Sequence, residues 1–473
     1  MSIGSLIGLA AGVMLALAQG REVQAPAKLE EFVPQLMREA YIPGLSMAVI
    51  RDGKISWHRG FGVRSSAGND PVTDETVFEA ASLSKPVCAY AVLKLADAGK
   101  LDLDAPLARY LPGDYIEGDE RVRRITVRMV LSHTPGFPNW RPRGKPLVLH
   151  FEPGERFSYS GEGYVYLQKV IEHLTGEPLN AVVTRLVFEP LGMAGSGYVW
   201  RAQFDARAAA PHGPAGAPGE KNKPAEANAA ASLHTTAVDY AKFMAAVLSG
   251  AGLKEETARQ MLSPQVKLDD SCVTCVNRPA ASPSASLAWG LGWGLELTDD
   301  GTSFWHWGDN GNFKCYAVAS VRRRAGVVFF TNSANGLSVV QEMVDRTLGG
   351  RHPALAWIKY DRYDSPTRTL IAGALRHGAE AALAQSRPGD LKEREINGFG
   401  YDLLRLKRVK EAIEVFKLNV GAFPNSANAY DSLGEAYLTA GEKALAMRNY
   451  KKSVELDPNN KNGLEKLKEL EGN

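Results

Sequence analysis

Apolar residues recur at helical spacing over residues 29–37, and again at Cys88, Ala89, Val92, Leu93 and Ala96, where the pattern closes near Gly99. Between these two predicted helices, residues 45–50 read as a strand, Arg51-Asp52-Gly53-Lys54 as a turn, and the chain from Ile55 as the returning strand of a hairpin. A short helix is expected to enter at Thr126 and to stop before Pro135 and Gly136, and another to cover residues 165–174. Residues 207–231, rich in Ala, Pro, Gly and Lys, read as a mobile surface loop, with Ser232 to Thr236 opening a helix that runs through Val247. Tryptophan and glycine then alternate through Trp289-Gly290-Leu291-Gly292-Trp293-Gly294, and strands are predicted at 314–321 and 325–331. Small and aromatic residues beside a sheet edge suit a ligand cleft, because glycine lets backbone approach closely.

From about Asp361 the chain shifts to helix formers, and an internal repeat sets in with an offset of 34 residues. Phe399-Gly400 matches Leu433-Gly434, Leu403 matches Tyr437, Ala412 matches Ala446, Phe416 matches Tyr450, and Pro424 matches Pro458. That period and pattern resemble the tetratricopeptide repeat, a helix-turn-helix unit with small residues where its helices cross. Two repeats are expected, 393–426 and 427–460, with a charged cap helix over 462–470 and one helix ahead of them at 367–384.

A chain of 473 residues, 45% of them hydrophobic, holds more than one domain and a substantial core. Its 55 basic and 53 acidic side chains leave a net charge of +2, which gives no electrostatic case for a nucleic-acid partner. No histidine lies within four residues of another, so no helical metal-ligand pair exists; neither a metal nor a cofactor is expected. Residues 3–18 are apolar and end in Ala16-Leu17-Ala18, a cleavage-like pattern, although no Lys or Arg precedes them. Residues 1–18 are therefore expected to be a signal peptide, and the protein to be exported, periplasmic or secreted, with no later segment able to span a membrane.

The chemistry is concentrated in Ser82-Leu83-Ser84-Lys85, where a hydroxyl and an amine stand three positions apart at the start of a helix and share one face. Serine becomes a useful nucleophile only when a base takes its proton, and lysine is a base only where burial or neighbouring cations hold it neutral. Gly44-Leu45-Ser46-Met47-Ala48 misses the G-x-S-x-G elbow by one residue and lies between two strands, whereas the elbow needs a strand-to-helix turn. His133, at a helix end, reads as a structural hydrogen-bonder rather than a base. Cys272 and Cys275 read as a local bridge or two idle thiols, since no thioredoxin-like context surrounds them.

Together these stretches resemble the serine hydrolases related to class C β-lactamases, penicillin-binding proteins and the carboxylesterases of the same fold. Ser82-Leu83-Ser84-Lys85 matches the first motif, Tyr159-Ser160-Gly161 the second, usually Tyr-x-Asn, and His306-Trp307-Gly308 the third, usually Lys/His-Ser/Thr-Gly. The resemblance implies an α+β fold: an antiparallel sheet flanked by helices beside a mostly helical subdomain, over residues 27–362, then a connecting segment 363–392 and an all-α repeat domain 393–473. It implies Ser82 as nucleophile, Lys85 and Tyr159 as the proton-transfer pair, and an oxyanion hole from the backbone N–H groups of Ser82 and Asp309. His306, Trp307, Gly308 and Gly161 would meet the substrate, an ester, amide or β-lactam. Gly161 stands where the family has an asparagine that contacts amide side chains, and Trp307 replaces a small hydroxyl residue. Both departures favour ester hydrolysis over β-lactamase or D-amino-acid peptidase activity. An inactive homologue using its repeats to bind a protein or peptide is the reading from another class, and retention of Ser82, Lys85 and Tyr159 together speaks against it.

Overall fold

The run from Ala325 to Thr331 is apolar at successive positions and becomes a strand buried on both faces. In the computed structural model, which describes residues 26–269, 273–274, 276–277, 281–386 and 391–471, this strand (β10) lies inside an antiparallel sheet. The expected leader 1–18 and the pair Cys272 and Cys275 lie outside the described residues. The hairpin β1 (Gly44–Arg51) and β2 (Lys54–Gly62) forms one edge. Beyond β10 come β9 (Lys314–Ser320), β8 (Gly301–Asp309), β7 (Gly294–Thr298), β6 (Pro283–Trp289) and β5 (Val266–Asp269), giving the order β2-β1-β10-β9-β8-β7-β6-β5. A separate ribbon pairs β3 (Phe78–Glu79) with β4 (His234–Thr235).

Alternation along the strands divides the core. Met47, Val49, Trp305, Val318, Val327 and Phe329 pack on α1 (Pro26–Glu39), α8 (Val340–Thr347) and α9 (Pro353–Ile358). Ala48, Ile50, Phe304, Ala317, Val328 and Phe330 face α2 (Ser84–Asp97) and α6 (Ala237–Ser249), beyond which stand α3 (Val127–Leu131), α4 (Gly161–Thr175), α5 (Leu179–Val183) and α7 (Glu255–Met261). Side-chain caps fix several entries: Thr126 accepts from Met129 N at 3.2 Å, Ser160 from Gly163 N at 3.0 Å and Thr236 from Asp239 N at 3.1 Å. The cap at Thr236 moves the start of α6 past the expected one, and His234–Thr235 is strand instead. No helix among the described residues is long and apolar enough to cross a membrane.

Two further expectations are corrected. The segment 207–231 is a surface loop only over 218–226; its two ends are packed, with Ala208, Ala209, Ala210, His212, Ala215, Ala217, Ala229 and Ala230 all buried. The single helix expected at 367–384 is two, α10 (Pro366–His377) and α11 (Ala379–Ala384), broken at Gly378, whose φ of 87° is one that L side chains rarely adopt. The remaining C-terminal helices are α12 (Glu393–Arg405), α13 (Val409–Ala422), α14 (Ala427–Thr439), α15 (Lys443–Leu456) and α16 (Lys461–Glu471). In both helix pairs a glycine admits the partner's ring: a Cβ on Gly400 would lie 2.6 Å from the Phe416 ring, and one on Gly434 3.1 Å from that of Tyr450.

Candidate active site

Ser82 sits on a tight turn, Ala81–Leu83, that leads into α2. Ala81 before it has φ 47°, a left-handed conformation that costs a non-glycine residue energy and persists only where its surroundings impose it. They do so from two sides: Ala80 N donates to Leu233 O at 2.7 Å, and Cys315 Sγ donates to Ala80 O at 3.2 Å. The Ser84 hydroxyl donates to Ala81 O at 2.5 Å and accepts from Leu233 N at 3.0 Å, so it is committed to holding the turn. Ser84 is buried and Ser82 partly exposed, which leaves Ser82 as the hydroxyl of the motif that a substrate can reach.

Lys85 has no exposed surface, and its Nζ donates to Ser82 Oγ at 3.0 Å and to Ala230 O at 2.9 Å. No carboxylate pairs with it among the described residues. Burial lowers its pKa to about 7, against a small upward pull from Cys88. A neutral amine that keeps one N–H on Ala230 O can aim its lone pair at Ser82.

Tyr159 is buried above the amine, with Lys85 Nζ 4.7 Å from its ring centre. Its hydroxyl has no hydrogen-bond partner among the described residues, and burial pushes the phenol far up, Ser82 drawing it slightly back. His133 grips the backbone on both sides of it: His133 O accepts from Ser158 N at 2.9 Å, and His133 Nδ1 accepts from Ser160 N at 3.0 Å. That fixes the neutral tautomer with the proton on Nε2, and burial, Lys85 and His306 all lower the pKa of the ring. His133 is thus a structural hydrogen-bonder, as its sequence position implied.

His306 is also fully buried; its Nδ1–H donates to Trp307 O at 2.8 Å, and burial together with Lys85 lowers its pKa to about 3. Its Nε2 lone pair has no partner among the described residues. Trp307 lies against Tyr159, ring centres 4.8 Å apart and planes tilted by 38°. A Cβ on Gly308 would lie 2.3 Å from Cys315 Sγ and 2.5 Å from Ala80 O, so only glycine lets β8 lie this close to the Ser82 turn. Strand β7 pairs with β8 no further than Trp305, so from His306 to Asp309 the strand is covered by β9 alone and forms a local edge facing the turn. The cleft therefore borders an edge, although β8 as a whole is interior. The Asp309 carboxylate accepts from Lys314 Nζ at 2.5 Å, Tyr360 Oη at 2.6 Å and Gly311 N at 2.8 Å, fixing the hairpin that carries its backbone N–H. At Gly161 a Cβ would meet Asn139 O at 2.8 Å and the Trp140 ring at 2.9 Å. Trp140, 46% exposed, fills the space that a side chain at 161 would take.

The family profile "Beta-lactamase" matches residues 29–348, more than half of the chain. The chain belongs to the beta-lactamase family. Among its relatives, Esterase EstB of Burkholderia gladioli is 33% identical over 204 residues, 37% of this chain and 51% of that protein, so the match spans about half of EstB. Penicillin-binding protein 4 of Amycolatopsis lactamdurans is 27% identical over 364 residues, 69% of this chain and 91% of that one. The octameric penicillin-binding protein homologue from Pyrococcus abyssi shares the fold, with a TM-score of 0.56 at 22% identity over 75% of this chain and 83% of its own. The family match ends before α9, so helices α10 to α16 are an addition to the beta-lactamase fold.

Sequence reasoning missed the carbonyl of Ala230, the clamp of His133 on Tyr159 and the bond from Tyr360 to Asp309. It also missed Asn310, whose Nδ2 donates to Glu79 Oε2 at 3.0 Å and ties the β8–β9 hairpin to the segment just before Ser82. A backbone acceptor has no sequence signature, but an asparagine two residues beyond His-Trp-Gly could have been noted.

Proposed function

We propose that this protein is a serine hydrolase of the carboxylesterase type, working through an acyl-enzyme. The observation that carries the reading is a fully buried lysine without a carboxylate partner among the described residues, 3.0 Å from a reachable serine hydroxyl. In this reading Ser82 Oγ attacks the substrate carbonyl as its proton passes to neutral Lys85, and the backbone N–H groups of Ser82 and Asp309 meet the charge on the carbonyl oxygen. Tyr159, whose phenol is held protonated by burial, serves as proton donor to the leaving oxygen rather than as resting base. Lys85 restores its proton, and water then releases the acyl group by the reverse path. The buried Nε2 atoms of His133 and His306, without partners among the described residues, border this path, one as donor and one as acceptor, and tune it electrostatically. Trp307 and Gly308 shape the wall beside it.

Esters are preferred because the place of an amide-binding side chain at Gly161 is taken by Asn139 and Trp140. The similarity to Penicillin-binding protein 4 supports D-amino-acid peptidase or β-lactamase activity as the second reading. We further propose that residues 1–18 direct export, and that 393–460 form two tetratricopeptide repeats offering a surface to a protein or peptide. The deciding experiment compares short-chain esters, a chromogenic β-lactam and D-alanyl peptides on wild type and Ser82→Ala, with a serine-directed phosphonate mapped by peptide analysis. Ester turnover with label on Ser82 is expected; label on Ser46, or full turnover by Ser82→Ala, would sink the mechanism.

A further inference from the structure

Between α1, the connection that follows α9, and helices α10 to α12 lies a cavity of about 1600 Å³; Ser82, Lys85 and Tyr159 do not line it, although Lys314 and Tyr360, which hold the Asp309 carboxylate, do. Four guanidinium groups line it, those of Arg38, Arg368, Arg376 and Arg394, and none of their side chains makes a hydrogen bond or close ion pair among the described residues. Elsewhere arginines are held by carboxylates, as Arg141 is by Glu162 at 2.8 Å and Arg128 by Asp104 at 2.6 Å. Arg368 is the most enclosed of the four; Glu395 and Asp361 attract it, but its buried Nε has no acceptor among the described residues. A desolvated guanidinium is costly unless an anion meets it, and its planar fork suits carboxylate and phosphate oxygens.

The acids on the same wall fill that role only in part, since Asp361 and Glu395 attract Arg368 without a hydrogen bond to it among the described residues. Asp361 is engaged by Lys392, Asp364 accepts from Arg362 at 2.8 Å, and Glu395 lies beside Asp361, where two carboxyl groups compete for one proton. Burial raises Glu395 to about 7, which further reduces the negative charge available to the arginines. Glu39 accepts from Gln35 at 2.9 Å on the opposite rim. Phe399, Tyr363 and Leu370 supply an apolar floor.

We infer that this cavity is a second binding site, for a ligand carrying two or more carboxylate or phosphate groups spaced to reach guanidiniums on α1, α10 and α12 together. Bidentate pairs would form with the exposed Arg38, Arg376 and Arg394, and the half-buried Arg368 would gain an acceptor for the Nε that has none among the described residues. The site draws on the hydrolase fold and the appended helices at once, so neither part presents it alone.

The test is isothermal titration of the full chain at low salt with a hexaglutamate peptide and, separately, with inorganic pyrophosphate. One-to-one binding of either is expected; the peptide alone assigns carboxylates, pyrophosphate alone assigns phosphates. The double variants Arg38→Gln/Arg376→Gln and Arg368→Gln/Arg394→Gln should each weaken binding by at least about tenfold. The first pair is exposed, so it answers even where the second disturbs folding. Arg143→Gln, on an exposed loop elsewhere, and Ser82→Ala should leave binding unchanged, which separates this site from the hydrolase reading. Failure of both probes to bind at millimolar concentration, or an equal loss in Arg143→Gln, would overturn the inference.

Discussion

In the proposed mechanism Lys85 trades stability for chemistry. Moving an ammonium from a solvated environment to one where its pKa falls from 10.5 to about 7 costs on the order of 5 kcal/mol in the charged form. Below about pH 7 both folded and unfolded chains hold the proton, and the folded state bears that cost. As pH rises from about 7 to 10.5 the unfolded chain keeps a proton that the folded one has released, so this group's contribution to stability grows with pH. Lys85→Met should therefore melt above wild type at pH 7, with the difference shrinking toward pH 10; a constant difference in thermal scans would show that the amine is not held neutral. In that mechanism the same protonation governs turnover: kcat/KM for an ester should rise through a pKa of about 7, and Lys85→Arg should lose activity nearly as fully as Lys85→Ala, because a guanidinium cannot accept the proton.

At the scale of elements, close approach between β8 and the Ser82 turn is the feature most easily broken. Gly308→Ala would drive a methyl into Cys315 Sγ and Ala80 O, so a loss of about 1–3 kcal/mol is expected by overpacking, together with a fall in kcat as the two proposed oxyanion donors part. Denaturant unfolding and ester kinetics on the one variant measure both. Gly161→Asn, which restores the residue usual in the family's second motif, should not create peptidase activity, since Asn139 and Trp140 occupy its space; D-alanyl peptide cleavage by that variant would show that they can yield. These elements differ in how far the sequence disclosed them. Ser82 and Lys85 are legible because i, i+3 spacing on a helix is local, and Thr126 because a cap bonds its own first turn. The acceptor for Lys85, Ala230 O, comes from 145 residues away, in a segment whose Ala, Pro and Gly content reads the same whether the coil is packed or free. His133 was legible as a structural residue; that its two bonds hold Tyr159 follows only from tertiary contact. The break at Gly378 was hidden because one glycine in a helical pattern is often tolerated.

For the whole molecule, the appended helices are joined to the hydrolase fold rather than tethered beside it. The Asp402 carboxylate of α12, with no exposed surface, accepts from Ala215 N at 2.7 Å and Ala217 N at 3.0 Å, in the same segment whose far end supplies Ala230 O to Lys85. Asp402→Ala leaves two buried N–H groups unmet and should cost about 2–4 kcal/mol, read as a lowered melting temperature of the full chain.

The C-terminal core argues that the helix pairs do not stand alone. Ile396, Phe399, Phe416 and Leu433 pack in one cluster with Leu370, Ile371 and Ala374 of α10, Ala379 and Ala382 of α11, and Ala215 of the hydrolase fold. Tyr41 meets Phe399 edge-on, ring centres 5.2 Å apart, and a Cβ on Gly421 would lie 2.3 Å from Leu383, so α11 presses directly on α13. Cutting at 393 removes that cover and exposes the first pair's apolar face, and two stacked helix pairs bury too little surface to compensate, since about three repeats are usually needed. Residues 393–473 expressed alone are therefore expected to melt broadly and bind a hydrophobic dye, whereas 363–473, which keeps α10 and α11, should regain a cooperative transition at lower temperature than in the full chain. Far-ultraviolet circular dichroism on the two fragments decides it. A sharp transition in 393–473 at the same temperature as in 363–473 would mean that α10 and α11 contribute nothing to the fold of the array.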